Sequence, residues 1–445
     1  MIKTEDIRLV EYALETALRA GADKARATFS RSGEDLVATL NGEIDKVTHC
    51  ADSSLCMALF VDGRFGTFST DKLDREALHR FIGESADIVR MLAPDACRDL
   101  PDPARCCRDA ISGNELGLLS GRRESVTPRM RNEIALKAGI FPGGTPAGAR
   151  YRMVSEEGEY SDSVYDTVLA DTNGVLCCHS EECFDYGVEV TIESGGNRYS
   201  GYWWDSSPDP DRLDPGQCGT RALERACGQI GSAPAESGRY NMVVDTEVAS
   251  RLVSPLLRAL NASALQQNNS FLMDSLGKRL FSERLDIVDR PRIPGQTCSK
   301  YFDSEGVATA DSTIIGGGTV REYFVNTYMS GKMGIAPTVE SATRPVLLPT
   351  DRGTGRDFLL GKCSDGILVT DFNGGNSNPV TGDFSYGIEG YLFSGGKITR
   401  PVSGMLVTGN FISLWKDFIA SADDARSCMS KLIPTLAFSN VDFSG

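Results

Sequence analysis

Two-residue turn signals set beside runs of strand-forming residues constrain this chain more than any other feature. Asn41-Gly42 follows Leu36-Val37-Ala38-Thr39-Leu40, and Asp62-Gly63 follows the apolar-rich run 54–61. Asn-Gly and Asp-Gly pairs accept the positive φ angles of tight hairpins, so both are expected to reverse the chain between antiparallel strands. Residues 27–30 form a further strand-like stretch. Residues 164–192 return to strand character and end in the turn-like Ser194-Gly195-Gly196-Asn197. In the second half, 312–320 and 391–399 each read as strand, glycine turn, strand.

Helical periodicity alternates with these runs. Ile7, Val10, Leu14, Ala17 and Leu18 fall on one helical face, with Gly21 as a C-terminal cap. Residues 71–92 carry the stripe Leu78, Phe81, Ile82, Val89 and Leu92, and Pro94 marks the end. Residues 130–138 and 209–230 also read as helices, whereas 93–123 reads as irregular surface structure. Ser232-Ala233-Pro234-Ala235-Glu236-Ser237-Gly238 is the best linker. It divides the chain into 1–235, an α+β domain of hairpins and amphipathic helices, and 236–445, a β-rich α+β domain. The second domain opens with a strand at 240–244 and a helix over 248–260. Asp245 is its expected cap, and Pro255 is expected to kink or split it. The fold class is therefore α+β with two domains, in keeping with a chain of 445 residues.

Charge and hydropathy remove several functions. The balance of 46 basic against 61 acidic residues leaves −15, which opposes direct binding to nucleic acid. The apolar run 55–61 falls far short of the ~20 residues that span a bilayer, so no membrane anchor is expected. Met1-Ile2-Lys3-Thr4-Glu5-Asp6 lacks a basic and apolar leader, so no signal peptide is expected. Thirteen cysteines without a repeating spacing then read as reduced thiols of a cytoplasmic protein.

The chemistry-bearing residues are sparse. His49, His79 and His179 are the only histidines, and none pairs with another at the spacing of a zinc-protease helix. Cys177, Cys178, His179 and Cys183 are close enough in sequence for a metal site. Their flanks read as strands, however, and alternation would turn Cys177 and Cys178 to opposite faces unless a bulge intervenes. A cysteine nucleophile needs a base in reach, and no thiol stands out as having one. Gly361-Lys362-Cys363-Ser364 and Gly316-Gly317-Gly318 lack the context of a phosphate loop. The acidic stretch 205–214 reads as helix caps. The most distinctive segment of the second half is Asn376-Ser377-Asn378-Pro379-Val380-Thr381-Gly382-Asp383-Phe384-Ser385. Turn chemistry accounts for its residues, and an ordered loop lining a peptide cleft is the functional alternative.

That segment resembles the Asn-Pro-Val-Thr-Gly-Asp-Phe-Ser signature of the TldD/PmbA family, on its PmbA (TldE) side. Asn41-Gly42-Glu43 with Val61-Asp62-Gly63-Arg64, Tyr202-Trp203-Trp204-Asp205-Ser206, and Phe302-Asp303-Ser304-Glu305-Gly306-Val307 are similar to family segments in the same order. The resemblance spans about residue 7 to Gly445. It implies a heteromeric cytoplasmic metalloprotease that processes or degrades unfolded peptides, a family also labelled modulator of DNA gyrase. In that pattern the TldD-like subunit carries a His-Glu-x-x-x-His helix and a cysteine ligand for zinc. This chain reads Val253-Ser254-Pro255-Leu256-Leu257-Arg258-Ala259 at the corresponding helix, without histidine, and Cys428 reads as a vestige of the thiolate position. The resemblance thus implies a non-catalytic partner subunit with no catalytic residue, metal or cofactor of its own, zinc being expected in the TldD-like partner. Asn378, Thr381 and Asp383 are the expected peptide-cleft residues. Two other readings stand beside it: a non-enzymatic homodimeric peptide-binding adaptor, and a stand-alone cysteine-dependent hydrolase.

Overall fold

In a computed structural model, which describes residues 1–445, both predicted N-terminal hairpins form at their turn signals. Helix α1 (Thr4–Arg19) precedes β1 (Lys24–Leu40), which returns as β2 (Glu43–Val61), and β2 returns as β3 (Arg64–Thr70). Asn41 and Gly42 take φ of 52° and 80°, and Asp62 and Gly63 take 50° and 70°. These left-handed pairs match the twist of the flanking strands. Helix α2 (Arg75–Arg90) follows, capped by Asp74. Helix α3 (Pro128–Ala138) then leads into β4 (Arg152–Asp171), β5 (Leu176–Ser194) and β6 (Asn197–Ser207). The strands form one antiparallel sheet in the order β3–β2–β1–β4–β5–β6.

Helices α1 and α2 seal one face of this sheet. Val10, Ala13 and Ala17 of α1 meet Leu78, Ile82 and Val89 of α2 and the inward residues Phe29, Leu55, Met57 and Leu59, all nearly solvent-free. The strands are longer than the apolar runs suggested, because the polar residues between those runs stay in the ladder. Arg31 of β1 is an example. Its guanidinium lies 3.0 Å from Asp6 and 2.8 Å from Asp166. Asp162 of β4 has no exposed side-chain surface, and Arg131 of α3 meets it at 2.6 Å and 2.8 Å. Arg123 lies 3.0 Å from Asp162 and 2.6 Å from Asp35, and Tyr160 donates to Asp162 at 3.2 Å. Buried charges persist only when paired and hydrogen-bonded in this way.

The helix expected over 209–230 is shorter. Two single 3₁₀ turns, Pro210–Arg212 and Pro215–Gln217, precede α4 (Cys218–Gly228). Each turn starts at a proline and is capped by an aspartate, Asp209 or Asp214. Proline supplies no N–H and disfavours helical geometry in the residue before it, which breaks the run. Helix α4 lies so close to β6 that a Cβ on Gly201 would collide with the backbone of Ala222 and Ala226.

The chain divides into two compact units, and the division is not a single cut near residue 235. The first unit holds Met1–Ala226, Arg292–Ala310 and Val325–Glu340; the second holds Cys227–Pro291, Asp311–Phe324 and Ser341–Gly445. Two later stretches join the first unit because their backbone groups find partners there. The Cys107 N–H donates to Gly306 O at 2.9 Å, and the Ala308 N–H donates to Arg105 O at 2.9 Å. Phe302 packs in one cluster with Cys106, Cys107, Leu169 and Cys177. Asp303 ties the two stretches to each other, accepting from the N–H groups of Glu305, Val307 and Glu340.

The second unit opens with β7 (Gly238–Val244) and α5 (Thr246–Ala259). Asp245 caps α5, accepting from the Glu247 N–H at 3.3 Å. Pro255 does not split the helix, whose residues Leu252, Val253 and Leu256 are fully buried. Packing of that face outweighs the lost hydrogen bond. A small sheet of β8 (Ile287–Asp289), β9 (Ser312–Gly316), β10 (Thr319–Val320) and β11 (Pro345–Leu347) runs in the order β10–β9–β8–β11. The larger sheet adds β12 (Gly366–Phe372), β13 (Asn376–Ser377), β14 (Asp383–Ser394), β15 (Lys397–Asn410), β16 (Phe418–Ser421) and β17 (Leu436–Ser444). Its order is β12–β7–β17–β15–β14–β13, with β16 on β17. Both glycine hairpins form, at Gly317-Gly318 and Gly395-Gly396. No helix is long and apolar enough to cross a membrane.

Two measurements check this account of the first unit. Asp162→Ala leaves Arg131 and Arg123 without their buried anion, and chemical denaturation should show a loss of ~3–5 kcal/mol. Burial and then the Glu340 charge push the Asp303 carboxyl up to about 6 from an ordinary 3.8. A raised carboxylate contributes stability that is complete below 3.8 and lost as pH rises through about 6. A carboxyl-detected NMR titration should place the Asp303 midpoint in that range. Glu340→Gln should lower the midpoint without restoring the ordinary value, because burial is the larger cause.

Candidate functional site

Helix α5 has two unlike faces. One carries Leu252, Val253 and Leu256 into the core, and the other presents Arg251, Ser254, Pro255 and Arg258, a polar stripe at helical spacing. The polar face borders a cavity of about 670 Å³. Its remaining walls come from Asp371 and Phe372 at the end of β12, the turn 375–379, Tyr386 of β14, Phe271 and Phe411. The aromatic rings form a continuous wall. Phe271 stacks on Phe411 at 5.8 Å, Phe411 on Phe384 at 4.7 Å, and Phe384 on Tyr386 at 5.4 Å. Arg251 lies over the Tyr386 ring, 5.0 Å from its centroid. Neither Arg251 nor Arg258 is held in an ion pair, whereas Glu247 at the start of the helix lies 3.3 Å from Arg426.

The three residues singled out in the sequence occupy two different positions. Asn378 lines the cavity. Its side-chain oxygen accepts from the Val380 N–H at 2.9 Å, an Asx turn that shapes the loop. Thr381 and Asp383 are not among the lining residues. The Thr381 hydroxyl donates to Asp383 at 2.7 Å, and the Asn410 amide donates to Asp383 at 2.9 Å and to Thr381 O at 2.8 Å. The Asn410 amide and the Thr381 hydroxyl hold the exposed Asp383 carboxyl below its ordinary value. Asp383 thus bonds side chains rather than the local backbone, and Ser385 pairs with Asn376 in the sheet.

The donors on this helix do not fit a zinc ion. A catalytic zinc takes three nitrogen, sulfur or oxygen ligands from the protein. The cavity lining has no histidine and no cysteine, and its carboxylates are Glu247 and Asp371. Cys428 is buried and lies outside that lining. No three His, Cys, Asp or Glu side chains anywhere in the chain are grouped to hold a metal. In the first unit, strand alternation separates the cysteines of β5. Cys177 packs with Cys106, Cys107 and Phe302, while Cys178 enters the core under α1. His179 lies 3.6 Å from Glu181, and Cys183 meets the Ser206 hydroxyl at 3.1 Å. The Cys177 thiol holds Cys107 below the usual thiol range, but Cys107 is only 2% exposed, so reagents do not reach it.

A second cavity, also of about 670 Å³, lies on the first unit's sheet. Asp45, Glu157, Glu159, Asp185 and Glu189 line it together with Tyr202 and Trp204. It has no basic side chain.

Two units of α+β structure and a polar cavity beside a helix without histidine or cysteine set the frame for comparison with known proteins. Residues 132–230 match the central domain, and 237–445 the C-terminal domain, of the PmbA/TldA metallopeptidases. Over 439 residues the chain is 25% identical to metalloprotease PmbA of Escherichia coli O157:H7, covering 96% of each chain. It is 26% identical to a PmbA homologue from Haemophilus influenzae, covering 93% of this chain and 90% of that one. A crystal structure from Bacteroides thetaiotaomicron, described as a candidate modulator of DNA gyrase, matches with TM-score 0.94 at 37% identity over 100% of both chains. TldE from Thermococcus kodakarensis shares the fold with TM-score 0.84 at 18% identity, covering 98% of this chain and 100% of that one. The chain belongs to the PmbA/TldD metalloprotease family and is of the PmbA type.

Arg251, Arg258, Asp371 and Phe372 were not singled out in the sequence. The available signal was the stripe Arg251, Ser254, Pro255, Arg258 on an otherwise apolar helix, which marks a face left out of the core. The cavity wall itself gives a prediction. Gly375 has φ of 90°, and a Cβ there would collide with Ser385 O and lie 2.6 Å from Tyr386 Cα. Gly375→Ala should therefore destabilise the second unit by more than ~1 kcal/mol in thermal or chemical denaturation.

Proposed function

We propose that this chain is the zinc-free, non-catalytic subunit of a cytoplasmic two-chain metalloprotease, and that its second unit holds unfolded peptide. The observation that carries the reading is the polar face of α5. Where a zinc helix would present its ligands, this helix turns Arg251, Ser254, Pro255 and Arg258 into the large cavity. Such a face can bind but cannot activate water. The zinc that cleaves the peptide bond would be held by a TldD-like partner, and this chain would need no cofactor of its own.

Peptide would enter as an extended strand. The edge strand β13 pairs only with β14, which leaves its other edge uncovered beside Asn378, with the Ser377 N–H held by the Asn376 side chain at 2.8 Å. Thr381 and Asp383 would serve the cleft from behind, by holding the 378–383 loop against Asn410. The net charge of −15 fits a peptide role better than contact with DNA.

Co-expression tests the reading. The chain purified alone should show no chelator-sensitive cleavage of an unfolded polypeptide, and the chain purified with a family member carrying the His-Glu-x-x-x-His helix should show it. Robust chelator-sensitive cleavage by the isolated chain would overturn the proposal.

A further inference from the structure

We infer that the cavity beside α5 is a carboxylate-reading site, in which Arg251 and Arg258 receive the free C-terminal carboxylate of an extended peptide. This rests on the peptide-holding role proposed above and goes beyond it, because it assigns an end of the peptide to named residues.

Charge is the first argument. The chain has 61 acidic residues against 46 basic ones, so an arginine has carboxylates in excess to pair with. Arg251 and Arg258 are nevertheless unpaired, on one face of one helix, and both open into the same cavity. Seven residues of helix separate their Cα atoms by roughly 10 Å, within the span of two long side chains converging on one group. The opposing charges are limited. Glu247 is neutralised by Arg426 at 3.3 Å. Asp371 accepts from the Phe372 N–H at 2.8 Å and stays at the exposed rim.

Geometry is the second. Arg251 lies over the ring of Tyr386. A guanidinium resting against a ring is not consumed by an ion pair, and its N–H groups match a carboxylate with two parallel hydrogen bonds. The ring contact also limits the side-chain entropy lost on binding. Ser254, one turn from Arg251, lines the cavity between the two arginines.

The third argument is what surrounds the charge. The aromatic wall of Phe271, Phe411 and Tyr386 offers an apolar surface for the last side chain of the peptide. The uncovered edge of β13 borders the cavity where the residues before it would lie. A volume of about 670 Å³ is within the range of sites that enclose small ligands or a few residues.

Fluorescence anisotropy of the full chain with a labelled, unstructured hexapeptide ending in phenylalanine tests this. The free acid should bind at least tenfold more tightly than the C-terminal amide. Arg251→Gln and Arg258→Gln should each reduce that preference, and the double variant should bind both forms with the affinity of the amide. Both side chains are exposed, so thermal melting should be unchanged and should exclude misfolding as the cause. Equal binding of acid and amide, no measurable binding of the acid, or an undiminished preference in the double variant would overturn the inference. So would an amidated peptide ending in glutamate that binds as tightly as the free acid, since the site would then read side-chain carboxylates. The measurement needs neither partner nor cleavage. A chain that restores peptidase activity on co-expression yet shows no preference loses only this inference. A chain that prefers the acid but never yields activity with a zinc-bearing relative loses only the metalloprotease role.

Discussion

The buried carboxylate of Asp162 is the constraint on which the first unit depends. It sits on β4, next to β1 at the middle of the six-stranded sheet, with no exposed side-chain surface. A carboxylate removed from water costs several kcal/mol unless cations and donors surround it. Arg131 must therefore approach from α3, Arg123 from the turn before it, and Tyr160 from the same strand. Asp35 on β1 then balances the second positive charge. One group thus fixes where α3 lies on the sheet and keeps the polar middle of β1 in the ladder. Paired charges at both ends of this stretch, at Asp166 and Asp162, allow strands of 17 to 20 residues in a sheet whose apolar runs are much shorter.

The second unit is organised from the start of α5. The Asp245 cap ends β7 and starts the helix, and the same carboxylate meets Arg356 at 3.0 Å. Once the apolar face of the helix is buried against the sheet, the direction of the opposite face is decided. That face, together with the rings of Phe271, Phe411 and Tyr386, encloses the cavity. A helix with histidines can hold zinc, whereas one with arginines presents fixed positive charge on the same scaffold.

Much of the fold was legible because its signals are local. Asn41-Gly42 and Asp62-Gly63 require positive φ, and that requirement can be read from two residues. The cap Asp245 acts within three residues of itself. The errors came where distant groups compete. Residues 31–35 look like a break between strands until Asp6, Asp166 and Arg123 are brought beside them. Residues 209–217 look helical until their prolines divide them into separate turns. At the site, Asn378 was legible as part of a distinctive loop. Thr381 and Asp383 belong to the same segment but turn toward Asn410, a partner 27 residues from Asp383.

By itself, the sequence determined the α+β class, the hairpins, the family membership and the lack of histidine on the helix after β7. Each of these depends on residue identity or on spacing within a few residues. Only the tertiary structure decided that 292–310 and 325–340 pack with the first unit rather than the second, because the backbone partners of Gly306 and Ala308 lie some two hundred residues away and Asp303 ties the later stretch to the earlier one. Only the structure brought Arg251 and Arg258 to the aromatic wall built by β14 and Phe411. A cavity is defined by residues that approach in space, and no local pattern records which ones will meet.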